Sequence, residues 1–299
     1  FKRHGRRRSA VFGLLILPAM ASWGMTTAEI EHRIPVHPWR WVPWLLASQL
    51  GVAALWLTAG WAWGLPAMVA SHALFLVPVF LPNSRFYAPV LSRLEGSPDA
   101  VWLTIDDGPG PDTLAVLDLL DHYQARATFF VVGERAQAHP QLVQEILRRG
   151  HSLGNHSHTH PQTQFWRLGP VAMAAEIGRC QQALTAISGR SPSWYRSVVG
   201  MTNPFVAAAL RRHGLTRVGW SARGYDGVHC TPQAALERLL PGLQAGAIVL
   251  VHEGAAHGHA RVIIEGVLQA LQARGLHARL PTARAASRPA EAPAETATP

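Results

Sequence analysis

Cysteine and charge are both scarce in this chain, and each scarcity narrows the class of protein. Only two cysteines occur in 299 residues, Cys180 and Cys230, and their spacing is not that of a cysteine-based metal site. Whether they pair depends on the fold, which the sequence does not reveal. Charged residues make up 15% of the chain, and the apolar excess lies before residue 82. That distribution predicts a membrane-embedded front end.

Nucleic-acid motifs are also missing, although the formal net charge is +9. The basic cluster from Lys2 to Arg8 is followed directly by an apolar run, and no aromatic-interleaved basic surface comes after it. The cluster therefore indicates membrane topology and no nucleic-acid partner.

Three apolar segments occupy the front end. Residues 10–26 contain Ala19-Met20-Ala21, a small-x-small pattern, and could be a cleaved signal, an uncleaved anchor or an extension that never inserts. After a polar spacer, residues 41–59 and 63–81 each approach the roughly 20 residues that cross a bilayer. Tryptophans lie near their ends, as in an interfacial belt. This predicts a transmembrane hairpin over residues 41–81, with two buried core helices as the alternative.

The orientation depends on whether the first apolar run is translocated. If it is, the hairpin begins outside, and the domain that follows it faces the periplasm or exterior from the inner (cytoplasmic) membrane. We favour this orientation because of the basic N-terminus, although Arg33, Arg40, Arg85 and Arg93 then lie outside, against the positive-inside trend.

The pattern divides the chain into five parts. They are a basic N-terminus with a possible signal or anchor and the spacer (1–40), the hairpin (41–81), a linker (82–99), a catalytic domain (100–280) and a disordered Ala/Pro-rich tail (281–299). In the catalytic part, short apolar runs alternate with helical patterns, which is typical of a parallel sheet or barrel. The predicted strands are 101–105, 128–132, 151–153, 193–196, 216–220, 247–251 and 277–280. The predicted helices are 112–123, 141–149, 170–187, 204–212, 232–240 and 262–274.

Polar side chains follow two of these strands. Asp106 and Asp107 come after the first, just before Gly108-Pro109, and His156 and His160 follow the third. Alone, the carboxylates would suit a turn and the histidines a solvated loop. Together they offer the imidazole and carboxylate donors that zinc prefers, and Asp107, His156 and His160 would supply the three protein ligands of a catalytic site.

These stretches resemble the polysaccharide deacetylases of the NodB homology type, carbohydrate esterase family 4. The family's Thr-Phe-Asp-Asp-Gly motif is matched by residues 104–108, with Ile105 in place of Phe, and its His-Ser/Thr-x-x-His motif by residues 156–160. Its Arg-Pro-Pro-Tyr-Gly motif keeps only Arg196 and Gly200. Residues 219–226 are similar to a Trp-Ser-x-Arg-Gly-x-Asp variant of the fourth motif, and residues 250–252 match Leu-x-His.

The resemblance, which covers roughly residues 100–280, implies an irregular (β/α)7 barrel preceded here by a transmembrane region. It also implies a role for each matched residue. Asp106 would be the catalytic base held by Arg196, and His252 the catalytic acid paired with Asp226. The backbone N–H of Val199 would donate to the oxyanion, while Trp220 and Leu250 would line the acyl pocket.

The implied activity is metal-dependent removal of N-acetyl or O-acetyl groups from an envelope or lipid-linked glycan. One divalent ion is expected, with zinc favoured over cobalt, manganese or nickel, and the expected partners are an acetylated amino-sugar glycan or glycolipid and the lipid bilayer. The alternatives are a deacylase or deformylase of another amide, and a non-catalytic glycan-binding membrane protein. The second is suggested by the changed third motif, and retention of a base and an acid argues against it.

Overall fold

The structure is a computed structural model that describes residues 29–284. The apolar run at 10–26 and residues 285–299 of the predicted tail lie outside the described part of the chain.

Two apolar helices form a hairpin ahead of the catalytic region. They are α1 (Trp41–Ala59) and α2 (Trp61–Leu76), and α2 continues as a 3₁₀ turn, Val77–Phe80. Gly60 reverses the chain with φ 76°, a conformation open to glycine. Both helices are long and apolar enough to cross a membrane. The core-helix alternative is wrong, because α1 buries none of its residues.

A parallel sheet forms the centre of the catalytic region. Its strands are β2 (Ala100–Gly108), β3 (Ala127–Val131), β4 (Ser152–Asn155), β5 (Trp194–Tyr195), β6 (Thr216–Arg217), β7 (Ala222–Arg223), β8 (Ile248–His252) and β9 (His277–Ala278). The order is β6-β5-β4-β3-β2-β8-β7, and β9 pairs with the start of β2. Every residue of the central strand β2 except Asp107 is buried, as expected for a parallel strand covered on both faces.

Helices cover the outside of the sheet. They are α3 (Thr113–His122), α4 (Gly133–Ala138), α5 (Pro140–Arg148), α6 (Pro170–Ser188), α7 (Val206–His213), α8 (Pro232–Leu239) and α9 (Ala260–Ala273). The apolar faces of these helices and the outward-facing strand residues form the main core, for example Val267 of α9 with Val249 of β8. The predicted α/β barrel with alternating strands and helices is confirmed.

Residues 82–99, expected to be a linker, pack into the barrel. Tyr87, Ala88 and Val90 are buried, and Leu91 forms a parallel bridge with Val218 just beyond β6. On its other side, Arg93 forms an antiparallel bridge with Ala247, just before β8, so the segment links the β6 edge of the sheet to the start of β8. Its apolar residues cover the edge of the sheet. The sequence of this segment has no strand-like pattern from which that packing could be predicted.

Three other elements differ from the sequence prediction. Strand β7 and helix α4 were not predicted, because two residues and six residues carry too little periodicity to be recognised. Residues Thr282–Arg284, expected to belong to the disordered tail, form strand β10, which pairs in parallel with β1 (Glu29–Glu31). Pairing between the two ends of the described chain is a long-range contact that composition does not encode.

The strand register aligns the carboxyl ends that carry the site. Asp106 of β2 lies opposite His252 of β8, and Val131 of β3 lies opposite Asn155 of β4. Asn155 in turn lies opposite Tyr195 of β5. The residues that follow these strands therefore meet at one end of the barrel, where active sites of such folds are built.

Candidate active site

Three potential metal ligands converge at this end. Oδ1 of Asp107 lies 3.3 Å from Nε2 of His156 and 3.1 Å from Nε2 of His160. All three ligand atoms lie within 4.8 Å of one another. Asp107 ends β2, while both histidines are on the loop after β4, so two strand ends supply the cluster.

Three observations indicate that the cluster fits a divalent cation. Ligand atoms about 2.0–2.1 Å from a tetrahedral zinc are about 3.3–3.4 Å apart, close to the separations from Asp107 to the two histidines. Oδ1 of Asp107 is buried and has no hydrogen-bond partner among the described residues. Nδ1 of His156 lies 2.9 Å from the carbonyl oxygen of Arg196, which favours a proton on Nδ1 and leaves Nε2 free to coordinate.

Electrostatics at the cluster favour a positive charge between the carboxylates. Burial lowers the pKa of His160 to about 3, helped by the charge of His156, so this imidazole is neutral at physiological pH. Burial also acts to lower the pKa of His156, but Asp106 and Asp107 outweigh it and the pKa is raised. In Asp107, burial acts to raise the carboxyl pKa, but the close contact with His156 and its charge, together with the charges of further histidines, outweigh it. The pKa of Asp107 is therefore well below its ordinary value. A metal cation held by Asp107, His156 and His160 would take the place of the proton on His156.

Backbone strain is concentrated in the same place. Asp107 has φ 70°, His160 φ 55° and Val199 φ 46°, all in the left-handed region. For a β-branched residue such as Val199 this conformation is rare, because Cβ crowds the backbone. Strain of this kind persists when surrounding contacts hold it, and it clusters at functional sites.

The second carboxylate, Asp106, is held by a buried arginine. Nη1 of Arg196 donates to Oδ1 of Asp106 at 2.8 Å and to Oγ1 of Thr104 at 2.6 Å. Nη2 of Arg196 donates to the carbonyl of Gly219 at 2.8 Å, and the guanidinium lies over the Phe130 ring. This pairing holds Asp106 in one orientation at the buried wall of the site.

His252 forms the opposite pair with Asp226. Its Nδ1 lies 3.1 Å from Oδ1 of Asp226, and its backbone N–H donates to Oδ2 at 2.7 Å. Burial acts to lower the pKa of His252, but the hydrogen bond and charge of Asp226 outweigh it and raise the pKa to about 8. A Cβ at Gly227 would lie 3.0 Å from the imidazole, so any larger residue here would require the ring to shift. Asp226 therefore does more than form a turn before Gly227.

A small open cleft of about 90 Å³ joins these groups. It is lined by Asp106, Asp107, His156, His160, Gln162, Val199, Gly200, Trp220, Arg223, Tyr225, Gly227, Val228, Leu250 and His252. Every sequence-predicted site residue lines this cleft except Arg196 and Asp226, which lie behind Asp106 and His252. Their roles in catalysis stay predictions, but the geometry brings all ten together.

Sequence reasoning missed several residues around the cleft. Arg223 and Tyr225 stood inside the fourth motif without a role, and Gln162 follows His160 by two residues. Glu253 is fully buried below the site, where it accepts a hydrogen bond from Oγ1 of Thr113 at 2.7 Å, and burial raises its pKa to about 7. Its position directly after the predicted acid was the only available signal.

The fold and the cleft together define a class: strand-helix barrel hydrolases with a carboxylate, a second carboxylate held by arginine, and a histidine pair around one potential metal site. The chain belongs to the polysaccharide deacetylase family. The family model described as polysaccharide deacetylase matches residues 93–218.

Proteins similar to this chain are found both by sequence and by structure. The chitooligosaccharide deacetylase of Bradyrhizobium sp. (strain ANU 289) is 30% identical over 184 residues, which span 61% of this chain and 83% of the relative. A peptidoglycan-N-acetylglucosamine deacetylase of Listeria monocytogenes is 32% identical over 176 residues, 58% of this chain and 36% of the relative. The family 4 carbohydrate esterase from Streptomyces lividans, solved with acetate, superposes with a TM-score of 0.56 at 31% identity. The superposition covers 62% of this chain and 94% of the esterase.

The fold alone does not establish catalysis in this family. A family 4 pseudoenzyme from Bacillus anthracis has the same fold, with a TM-score of 0.56 at 20% identity, over 65% of this chain and 66% of that one. The case for activity in the present chain therefore depends on its own site residues.

Proposed function

We propose that this protein is a metal-dependent hydrolase that removes N-acetyl groups from an amino-sugar glycan. The observation that carries the proposal is one cleft lined by a potential three-ligand metal site, a fixed carboxylate and a carboxylate-paired histidine. A glycan-binding protein would need neither the fixed Asp106 nor the charged His252. Two relatives bear the names of chitooligosaccharide and peptidoglycan deacetylases, which supports an acetylated glycan as substrate.

Asp107, His156 and His160 would hold the metal ion. A bound divalent ion, with zinc favoured by its affinity for mixed imidazole and carboxylate ligands, would polarise the acetyl carbonyl and lower the pKa of a bound water towards about 7. The sequence departs from the family in the third motif but not at these three ligands.

Residues on two walls of the cleft carry out the two proton transfers of the reaction. Asp106, oriented by Arg196, accepts the proton of the attacking water. The backbone N–H of Val199 donates to the oxygen that becomes negative in the transition state. His252, protonated through its pairing with Asp226, gives its proton to the departing amine. The products are acetate and the free amino sugar.

The end of the apolar hairpin lies next to the candidate active site, which supports a position of that site close to a membrane. Asn83 donates to the carbonyl of Trp220 at 2.9 Å, and the N–H of Thr202 donates to the carbonyl of Val79 at 2.9 Å. A Cβ on Gly200 would lie 2.9 Å from Cβ of Pro82. The end of the hairpin therefore packs against the loops that carry the expected oxyanion donor and acyl-pocket residue.

We infer that the hairpin tethers the enzyme to the inner membrane, with the catalytic domain facing the periplasm or exterior. Residues such as Trp44, Leu57 and Trp61 of the hairpin are exposed in the structure, and a bilayer would cover them. An envelope or lipid-linked glycan is the substrate that suits this placement. Retention of the protein in carbonate-washed membranes and its release by detergent test the tether, and protease access to the domain in intact cells tests its side.

Activity is tested with the full-length protein in detergent and a panel of N-acetylated and O-acetylated oligosaccharides. Acetate release should be abolished by a chelator and restored by zinc or another divalent ion. Release that continues unchanged in protein shown by elemental analysis to hold no metal would refute the proposal.

A further inference from the structure

One guanidinium at the cleft has no partner. Arg223, at the end of β7, lines the cleft, and its side chain makes no hydrogen bond or ion pair with any residue between 29 and 284. Its Nε is shielded from solvent and unsatisfied within that range. The other arginine of this wall, Arg196, differs because it pairs with Asp106. An unpaired guanidinium at a partly dry site needs a reason, because burying a charge without a partner costs free energy.

Aromatic rings hold Arg223 in place while leaving its polar edge free. The guanidinium carbon lies 4.9 Å from the centre of the Trp220 ring and 4.4 Å from that of Tyr225. Stacking of this kind attracts the cation to the ring faces without using its N–H groups. Trp220 is itself expected to line the acyl pocket, so Arg223 lies beside the reacting amide.

The stack is maintained against backbone strain. Tyr225 has φ 59°, a conformation that is rare for a bulky residue, and its ring lies over Arg223. Arg238 lies 5.9 Å from the same ring, but it is exposed and donates to the carbonyl of Gly224. The two arginines therefore differ in one respect that matters here: only Arg223 lines the cleft.

The acidic groups of the cleft are already committed to other partners. Asp106 pairs with Arg196, Asp107 faces two imidazoles, and Asp226 pairs with His252. None of them neutralises Arg223, so its guanidinium remains available to an anion that enters the cleft. A planar guanidinium binds carboxylate and phosphate through paired hydrogen bonds.

We propose that Arg223 forms an anion-binding subsite, and that the substrate is an acetylated amino sugar carrying a phosphate or carboxylate close to its amide. This inference rests on the proposed deacetylase function and narrows its substrate class. Arg223 acts in specificity, and the proton transfers described above do not require it.

The test compares three probes with the full-length protein: neutral chitotetraose, the same oligosaccharide with a reducing-end phosphate, and an N-acetylglucosamine–N-acetylmuramic acid disaccharide with its carboxylate. The wild type should prefer at least one anionic probe to the neutral one. Arg223→Gln should raise KM for that probe roughly tenfold or more, as expected for loss of a charge-assisted pair, and lower kcat/KM for the neutral probe by a much smaller factor. Arg223→Lys should retain part of the preference. Arg238→Gln is the matched control, because Arg238 lies near the same Tyr225 ring. It should change neither KM for the anionic probe nor kcat/KM for the neutral probe.

Equal losses on neutral and anionic probes in Arg223→Gln would show a packing role and overturn the subsite, as would a wild type without preference. Calorimetric binding of the probes to Asp106→Asn separates the two proposals. Tighter binding of an anionic probe that disappears on adding Arg223→Gln supports the subsite even if the wild type releases no acetate, in which case only the hydrolase proposal fails. The identity of the preferred anion distinguishes a phosphate-linked from a carboxylate-bearing glycan.

Discussion

Asp226→Asn tests whether the buried carboxylate of Asp226 sets the protonation of His252. Asp226 is buried against His252 and contributes the largest influence that raises the histidine pKa, from 6.5 to about 8. A pKa of about 8 in place of 6.5 corresponds to about 2 kcal/mol in favour of the protonated imidazole. With the carboxylate gone, burial still disfavours the charge, and the pKa of His252 should fall to 6.5 or below. A bound cation opposes the contribution of Asp107 but leaves the Asp226 hydrogen bond in place.

The consequence is a change in pH dependence, with a sign that follows from the acid role. His252 must be protonated to act, so activity should fall as pH rises through its pKa. At pH 7.5 a group of pKa about 8 is about three-quarters protonated, and one of pKa 6.5 about one-tenth, which gives roughly an eightfold loss. At pH 5.5 both are more than nine-tenths protonated, so the two enzymes should be nearly equal in this respect.

The assay is kcat/KM for acetate release between pH 5 and 9. The alkaline limb of Asp226→Asn should move down by about 1.5 units or more, while metal content stays constant. Asp118→Asn is the control, since Asp118 is exposed and pairs with Arg149 outside the site. An alkaline limb that does not move would show that His252 is not the acid, or that Asp226 does not set its charge.

Other variants probe single features of the site. Asp106→Asn should retain the metal and lose nearly all turnover, because it removes the base and not a ligand; normal turnover would reject the base assignment. His156→Ala should lose the metal, measured by elemental analysis, and unchanged metal content would contradict the ligand set. Val199→Gly should keep activity through its main-chain N–H and gain up to about 1 kcal/mol in denaturant stability, since glycine relieves the φ of 46°; a clear loss of stability would show that the site is not strained. Gly227→Ala should lower kcat with metal retained, because its Cβ would displace His252; wild-type kcat would show that the imidazole has room to move.

The sequence predicted the barrel and the site better than it predicted their boundaries. Strands such as β2 and β8 were recognisable because parallel strands covered on both faces are continuous apolar runs. The segment 82–99 was misread, because its role is to cover an open sheet edge and that role exists only once β6 and β8 are in place. The candidate site residues, and the pairings of Asp106 with Arg196 and of His252 with Asp226, followed from the resemblance to the family motifs, whereas the distances and burial within these pairs needed coordinates.

The order of residues along the chain determined which side chains end the strands, and so which groups could meet: Asp106 and Asp107, His156 and His160, and His252 all follow apolar runs whose carboxyl ends share one side of a parallel sheet. Only the tertiary structure decided how they meet. The left-handed turns at Asp107 and His160, the packing of residues 82–99 into the barrel, and the position of Arg223 between two aromatic rings with no hydrogen-bond or ion-pair partner among residues 29–284 depend on contacts between residues distant in sequence, and local propensity contains no information about such contacts.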